Sequence, residues 1–178
     1  MARTSAILLY AAVNLAGTLA LPCTAETVRQ TDVAQRGHEV MPFSLAATTH
    51  VFTKTADGGV QQVITRRDDS NQAALIRQHL AMIAQQFAVG DFKGPEHIHG
   101  QDMPGLTALR AAKTGELKVA YHDLPNGGEI VYQSNEPQLV AALHQWFDAQ
   151  LADHGHDAMA GQGSGAMHHH GSGAEKAQ

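Results

Sequence analysis

Apolar positions alternate with polar ones in four short segments of the chain. Residues 48–55 and 60–65 are rich in β-branched and aromatic side chains, and the turn-forming sequence Ala-Asp-Gly-Gly separates them. Residues 117–122 and 129–133 alternate in the same way around Pro-Asn-Gly-Gly. The pattern predicts two β-hairpins.

Each predicted hairpin is followed by a longer segment in which apolar residues recur at helical spacing. The first of these segments begins after the polar residues 68–71, which offer N-cap side chains, and ends at Gly90. The second begins at Pro137, a residue type favoured in the first turn of a helix, and ends near Ala152. Both segments are predicted to be amphipathic helices.

The remaining segments contain weaker signals. Short helices are expected over residues 26–39 and 106–113, where apolar residues are fewer. Residues 94–105 contain three glycines and two prolines, too many helix and strand breakers for regular structure. This segment is therefore predicted to be a loop.

Together these elements predict an α+β fold. In the order ββα-ββα, the two hairpins form one four-stranded antiparallel sheet, and the two main helices cover one face of it. A single domain is expected over residues 46–153, after an N-terminal segment over residues 26–45. Residues 154–178 are rich in glycine, histidine and methionine and lack apolar periodicity, so they are predicted to form a disordered tail.

The first 25 residues have the pattern of a secretory signal peptide. Arg3 supplies the positive charge, apolar residues predominate from Ala6 to Leu21, and cleavage is expected after Ala25. The mature protein would be periplasmic or secreted, without stable membrane insertion after cleavage. Removal of these 25 of the 178 residues leaves 153 residues and no cysteine, because the single cysteine is Cys23.

The charge and the motifs of the mature chain exclude several classes of function. Arg3 is the only charged residue in the predicted signal peptide, so the net charge changes from −5 to −6 on cleavage, and no nucleic-acid partner is expected. Without cysteine, the mature chain has neither disulfides nor thiolate ligands. The chain also lacks a phosphate-binding loop, a Gly-x-Ser-x-Gly motif and a His-Glu-x-x-His motif. Covalent catalysis is therefore not expected.

Histidine is the residue type that points to a particular chemistry. His97 and His99 lie two positions apart, and side chains at this spacing point the same way in an extended loop, so both imidazoles could bind one ion. Glu96 and Met103 are the next candidate ligands, and Asp102 could orient an imidazole. The alternative for the pair is that both are ordinary surface histidines of a loop.

Further candidate ligands lie in the hairpins and in the tail. His50 and His122 could meet the loop across the sheet, depending on a strand register that the sequence leaves open. The tail offers the histidines His154, His156, His168, His169 and His170, interspersed with Met159 and Met167. Imidazole suits Cu(II) and zinc, and thioether suits Cu(I), so copper is the first expected ion, with zinc or nickel as alternatives.

Four segments carry a resemblance to a known family. They are Met41–Leu45 (MPFSL), Thr48–Phe52 (TTHVF), Glu96–Gly105 (EHIHGQDMPG) and Trp146–Leu151 (WFDAQL). The chain resembles, over about two thirds of its length, a family of small exported proteobacterial proteins that often carry the name aspartate carbamoyltransferase. The resemblance implies an association with copper or heavy-metal tolerance. The carbamoyltransferase name does not fit this chain, which lacks basic phosphate-binding motifs.

The sequence therefore supports one main hypothesis and two alternatives. The main hypothesis is a periplasmic metal-binding protein that acts as a chaperone, buffer or resistance factor and exchanges its ion with a periplasmic transfer partner. His97 and His99 would form the ordered site, and the tail would collect ions. The alternatives are a metal-dependent hydrolase, in which the same histidines activate water, and a metal-free domain of the cell envelope that binds a protein through the open sheet face.

Overall fold

The computed structural model describes residues 27–162. The predicted signal peptide lies outside the described residues, and so do the tail residues from Gly163 onward, which include the predicted ligands His168, His169 and His170. Among the described residues, no helix is both long enough and apolar enough to span a membrane.

The protein is α+β, with one mixed sheet of five strands in the order β3-β4-β2-β1-β5. The strands are β1 (Thr48–Thr55), β2 (Gly58–Thr65), β3 (Lys118–Leu124), β4 (Gly127–Gln133) and β5 (Ala158–Ala160). The first four strands are antiparallel and form the two predicted hairpins, which join through β2 and β4. Strand β5 pairs in parallel with β1, and Ala158 lies opposite His50.

Five α-helices accompany the sheet. They are α1 (Val28–Val40), α2 (Ser70–Ala88), α3 (Lys93–His99), α4 (Leu106–Arg110) and α5 (Pro137–His154). The first begins with a capping box, in which Thr27 and Gln30 each bond to the other's backbone N–H, and the second begins with the Asp69 side chain accepting from two backbone N–H groups. Helices α2 and α5, the predicted main helices, pack against the sheet.

The core lies between the sheet and these two helices. Ile130 and Tyr132 of β4 point inward and are fully buried, as are Trp146 and Phe147 of α5. Gly59 of β2 allows the close approach of α5, since a β-carbon there would come within 2.5 Å of the Phe147 ring. Close packing of this kind places one face of α5 directly over β1 and β2, which positions its C-terminal residues near His50.

Two expectations about the fold were wrong in part. The sheet has five strands and is mixed, because the chain after α5 turns back at Gly155 and adds β5 to the edge beside β1. The segment after residue 153 therefore begins with ordered structure: His154 is the last residue of α5, and residues 158–160 are a strand. An edge strand gains ladder hydrogen bonds from its neighbour even when it is short, so it needs no apolar periodicity of its own.

Candidate metal centre

Three buried histidines from three different elements meet beside one cavity. They are His50 of β1, His99 at the end of α3 and His154 at the end of α5, with exposed fractions of 3%, 4% and 9%. The rings of His50 and His154 stack with centroids 4.7 Å apart, and the ring of His99 meets that of His154 edge-on at 5.0 Å. We call these three residues the histidine cluster.

The local sequence of each element places its histidine inward. In β1, alternate residues face the core, so His50 is buried together with Thr48 and Phe52. In α5, residues four apart lie on the same face, which aligns His154 with the buried residues Trp146 and Gln150.

In α3, the position of His99 depends on the end of the helix. Gly100 follows with φ of +93°, a conformation that favours glycine, and terminates α3 directly after His99. Its N–H still donates to the Glu96 carbonyl. His99 therefore occupies the last helical position, at the edge of the cavity.

Asp153 and Arg29 fix the orientation of His99. The Asp153 carboxylate accepts from His99 Nδ1 at 2.9 Å and binds the Arg29 guanidinium with both oxygens, one of these bonds being Nη2 to Oδ2 at 2.6 Å. Arg29 also donates to the backbone carbonyl of His99 at 3.2 Å. When the ring is neutral, Nδ1 holds its proton toward Asp153, so Nε2 carries the free lone pair.

The ionisation of the cluster also favours free lone pairs. Burial lowers the pKa of His50 to about 4, and burial together with His50 and His99 lowers the pKa of His154 well below its ordinary value. Burial by itself would raise the pKa of Asp153, but the hydrogen bonds from His99 and Arg29 outweigh this effect and lower it. At neutral pH, His50 and His154 are therefore uncharged and Asp153 is ionised.

The cavity beside the cluster is small and has both apolar and polar walls. Its volume is about 50 Å³, which is room for an ion and a few water molecules but not for a large organic ligand. Phe43, Leu80, Ile83 and Phe87 form much of its apolar wall.

The polar part of the wall includes two side-chain atoms that have no hydrogen-bond partner in the described part of the chain. Trp146 Nε1 and Gln150 Oε1 are buried without a hydrogen bond to any residue within 27–162, and both residues line the cavity. Buried polar atoms are normally hydrogen-bonded to protein or to ordered water, so these side chains give the cavity a polar part in an otherwise apolar wall.

The predicted loop around His97 and His99 was wrong. Residues 93–99 form helix α3, and two positions on a helix differ by about 200° around its axis. His99 consequently points into the cavity, whereas the His97 side chain is 54% exposed and pairs with Glu39 at 3.1 Å. The two imidazoles do not face a common ion.

The other predicted ligands are spread over the molecule. Glu96 forms an ion pair with Arg110 at 2.5 Å, and Met103 is buried in the apolar core. His122 is exposed on β3, in register with Glu129 and on the sheet face away from the helices. The His156 side chain is 71% exposed and lies 3.4 Å from Asp157. Of the predicted ligands within the described residues, the structure brings together His50, His99 and His154.

The donor atoms of the cluster are not yet arranged around a point. Within residues 27–162, no three side chains of histidine, cysteine, aspartate or glutamate form a group that could hold an ion as they stand. The rings of His50 and His154 lie parallel, with 8° between their planes. Binding of an ion at the cluster would therefore require a rearrangement of these side chains.

Sequence reasoning missed the residues that support the cluster. The spacing of Trp146, Gln150 and His154 along one helical face was readable from the sequence and places two polar side chains on an otherwise apolar stripe. The partnership of Arg29 with Asp153 spans 124 positions, and no local pattern indicates it.

Comparison of the chain with protein-family models, with characterised proteins and with solved structures found no match. The functional argument therefore depends on the geometry of the histidine cluster and its cavity.

Proposed function

We propose that this protein binds a transition-metal ion, copper in the first place, through the histidine cluster, and serves in the periplasm as a metal chaperone, buffer or resistance factor. The observation that carries the proposal is the convergence of His50, His99 and His154 on one small cavity. Neutral imidazoles are the usual ligands of copper, zinc and nickel.

The surroundings of the cluster support ligation over a purely structural role. His99 has the carboxylate support typical of metal-binding histidines, and the Arg29 guanidinium holds that carboxylate in place. The cavity also excludes large ligands by its volume. Copper ranks before zinc and nickel because Met41 places a thioether on the same cavity, which suits Cu(I), and because the family resemblance implies copper tolerance.

Calorimetric titration tests this proposal and the part played by the tail. The mature chain from Glu26 and a shorter version ending at Gln162 are titrated with Cu(II), Zn(II) and reductant-maintained Cu(I). We expect one tight site per molecule in both, because residues 27–162 contain the cluster. The full chain should bind additional ions weakly through His168, His169 and His170. If tight binding disappears with the tail, the cluster is not the site.

The support from Arg29 leads to a second prediction. Replacement of Arg29 by glutamine should lower copper affinity by about 10- to 100-fold, since Asp153 loses its partner and holds the His99 ring less firmly. Arg36→Gln is the matched control: Arg36 also lies on α1 and donates to α3, at the Ile98 carbonyl, but does not touch Asp153. If Arg29→Gln and Arg36→Gln lowered copper affinity equally, helix α1 would support the site only by packing against α3.

A metal-dependent hydrolase is the second candidate function. Three histidine ligands with one open position are typical of catalytic zinc sites, in which the fourth ligand is water. The small volume of the cavity limits such an enzyme to a substrate of a few atoms. Metal-stimulated hydrolysis that is lost with His99→Ala would favour the hydrolase over the metal chaperone, buffer or resistance factor.

A further inference from the structure

The outer face of the sheet, which is the face away from α2 and α5, carries several apolar side chains. The strand register places Val51, Val60, Ile64 and Val131 on this face, and each of them is partly exposed. In an antiparallel sheet with one face in water, the outward positions are usually polar. A contiguous apolar patch on a protein surface is typical of an interaction site.

One row of side chains crosses the outer face at right angles to the strands. Thr53 of β1 is in register with Val60 of β2, and Val60 is in register with Val131 of β4. Side chains directly opposite each other on one face of a sheet are neighbours, so this row presents methyl groups from β1 to β4. We call Thr53, Val60 and Val131 the outer strip.

The chain leaves β5 at one end of the outer strip. Gly161 donates its N–H to the Phe52 carbonyl at 2.9 Å, and a β-carbon on Gly161 would lie 3.2 Å from the Thr53 β-carbon and overlap with the Thr53 hydroxyl. Opposed β-carbons on neighbouring strands are normally about 4.5–5.5 Å apart. Because the Thr53 side chain points outward, the backbone at Gly161 lies closer to the outer face than the plane of the sheet. The chain is therefore directed onto the outer face as it passes Gly161.

We infer that residues 163–170 of this chain cover the outer strip, with the Met167 side chain against Val60 and Val131. These residues have the sequence GSGAMHHH and lie outside the described residues. The inference goes beyond the proposed function, because the contact involves no ion and uses the opposite face of the sheet from the histidine cluster.

The length and composition of this segment suit the outer strip. Met167 is six residues beyond Gly161, and six extended residues span about 20 Å. Val131 is two strands beyond Thr53, which is about 10 Å at the usual strand spacing. Glycine at positions 163 and 165 allows the backbone to lie close to β-branched side chains, and the flexible methionine side chain adapts to an irregular apolar surface.

A carboxylate beside the outer strip suits the histidines that follow Met167. Glu129 precedes Val131 by two positions on β4, so both side chains point outward, and the Glu129 carboxylate accepts from Gln62 Nε2 at 2.9 Å. An ionised carboxylate accepts several hydrogen bonds. It can therefore also accept from an imidazole N–H of the run from His168 to His170.

A second copy of the chain is a less suitable occupant. Two sheets that stack face to face keep about 10 Å between them, and side chains fill that space. The chain that passes Thr53 at Gly161 would lie between the two sheets at one edge of each copy. A tethered segment also has a high effective concentration at the strip, so a small contact area is sufficient to hold it.

Paramagnetic broadening of backbone amide signals tests the position of residues 163–170. The mature chain has no cysteine, so Ser172→Cys introduces a single site for a nitroxide label, two positions after His170. Spectra are recorded in EDTA, so that no metal ion contributes. We expect loss of the amide signals of Val60 and Val131, whereas the amide of Met82, on α2 across the sheet, should keep its signal.

Two variants of the labelled chain should release the segment, and a third is the matched control. Met167→Ser removes the apolar side chain and alters no described residue, and Val131→Lys places a charge on the outer strip at a partly exposed position. Both should restore most of the Val60 amide signal. Met82→Lys makes the same apolar-to-lysine change at a side chain exposed on α2, and the broadening at Val60 should be unchanged.

A mixing experiment identifies the molecule that supplies the segment. Spin-labelled chains without isotope are mixed with isotope-labelled chains without the nitroxide, and we expect the Val60 signal to remain. Its loss in the mixture would assign the outer strip to another copy and would overturn the inference. A full Val60 signal in the spin-labelled parent, or undiminished broadening in Met167→Ser, would also overturn it. These results leave the proposed metal site standing, and failure of copper to bind the histidine cluster would leave this inference standing.

Discussion

Replacement of His99 by alanine is expected to abolish tight copper binding, whereas the same replacement of His97 should leave it unchanged. The two residues belong to the same short helix, α3, and only Ile98 separates them. His99 is buried in the histidine cluster, while His97 is exposed and pairs with Glu39 on the surface. Loss of one of three imidazole ligands should lower affinity at least about 100-fold, or about 2.7 kcal/mol.

Calorimetry on the two variants measures this difference, with circular dichroism as a check on folding. His99→Ala leaves the ion pair of Asp153 with Arg29 in place, so the buried carboxylate keeps a partner and the fold should be retained. If His97→Ala abolished tight copper binding and His99→Ala did not, the site would lie at the surface near His97. The histidine cluster would then not be the metal site.

The metal-free protein is expected to lose stability in mild acid because of His50. Its pKa is about 4 in the folded protein and about 6.5 when the chain is unfolded. Between these values the unfolded chain takes up a proton that the folded protein excludes. The contribution of His50 to the free energy of unfolding is therefore fully present above pH 6.5. It falls by about 3 kcal/mol as the pH drops to 4. His154, whose pKa is also lowered, acts in the same direction.

Urea unfolding at pH 7.5 and at pH 4 measures this loss. His50→Phe keeps a ring beside His154 but has no titrating group, so the free energy of unfolding should fall less between the two pH values than in the wild type. His122→Gln, at an exposed position on β3, is the control and should retain the full loss. A His50→Phe protein as acid-sensitive as the wild type would show that another group causes the effect.

The sequence was sufficient for most of the fold because the relevant patterns are local. The alternating segments and the stripes on α2 and α5 each bury one face, and the structure confirms all four predicted strands and both main helices. Strand β5 has only three residues and obtains its order from β1, so nothing within Ala158–Ala160 could reveal it.

The candidate site was harder to predict because it depends on helix boundaries and long-range contacts. Pro95, one of the five predicted breakers of residues 94–105, lies in the first turn of α3, where its missing N–H breaks no intrahelical bond. The loop prediction counted Gly94 and Pro95 together with Gly100, Pro104 and Gly105, and in an extended loop His97 and His99 would have faced one ion. The true partners, His50 and His154, come from elements that meet only when the sheet and α5 have packed.

The three histidines are not held equally firmly. His50 and His154 belong to the central layer of sheet and α5, whereas His99 lies on α3, which packs chiefly against α1 and is fastened to it by Arg29 and Arg36. If the cluster binds an ion as proposed, local opening of α1 and α3 would detach one ligand while two remain in place. An ion could then enter or leave through a two-coordinate state without global unfolding, and amide hydrogen exchange in α1 and α3 should slow when the ion is bound.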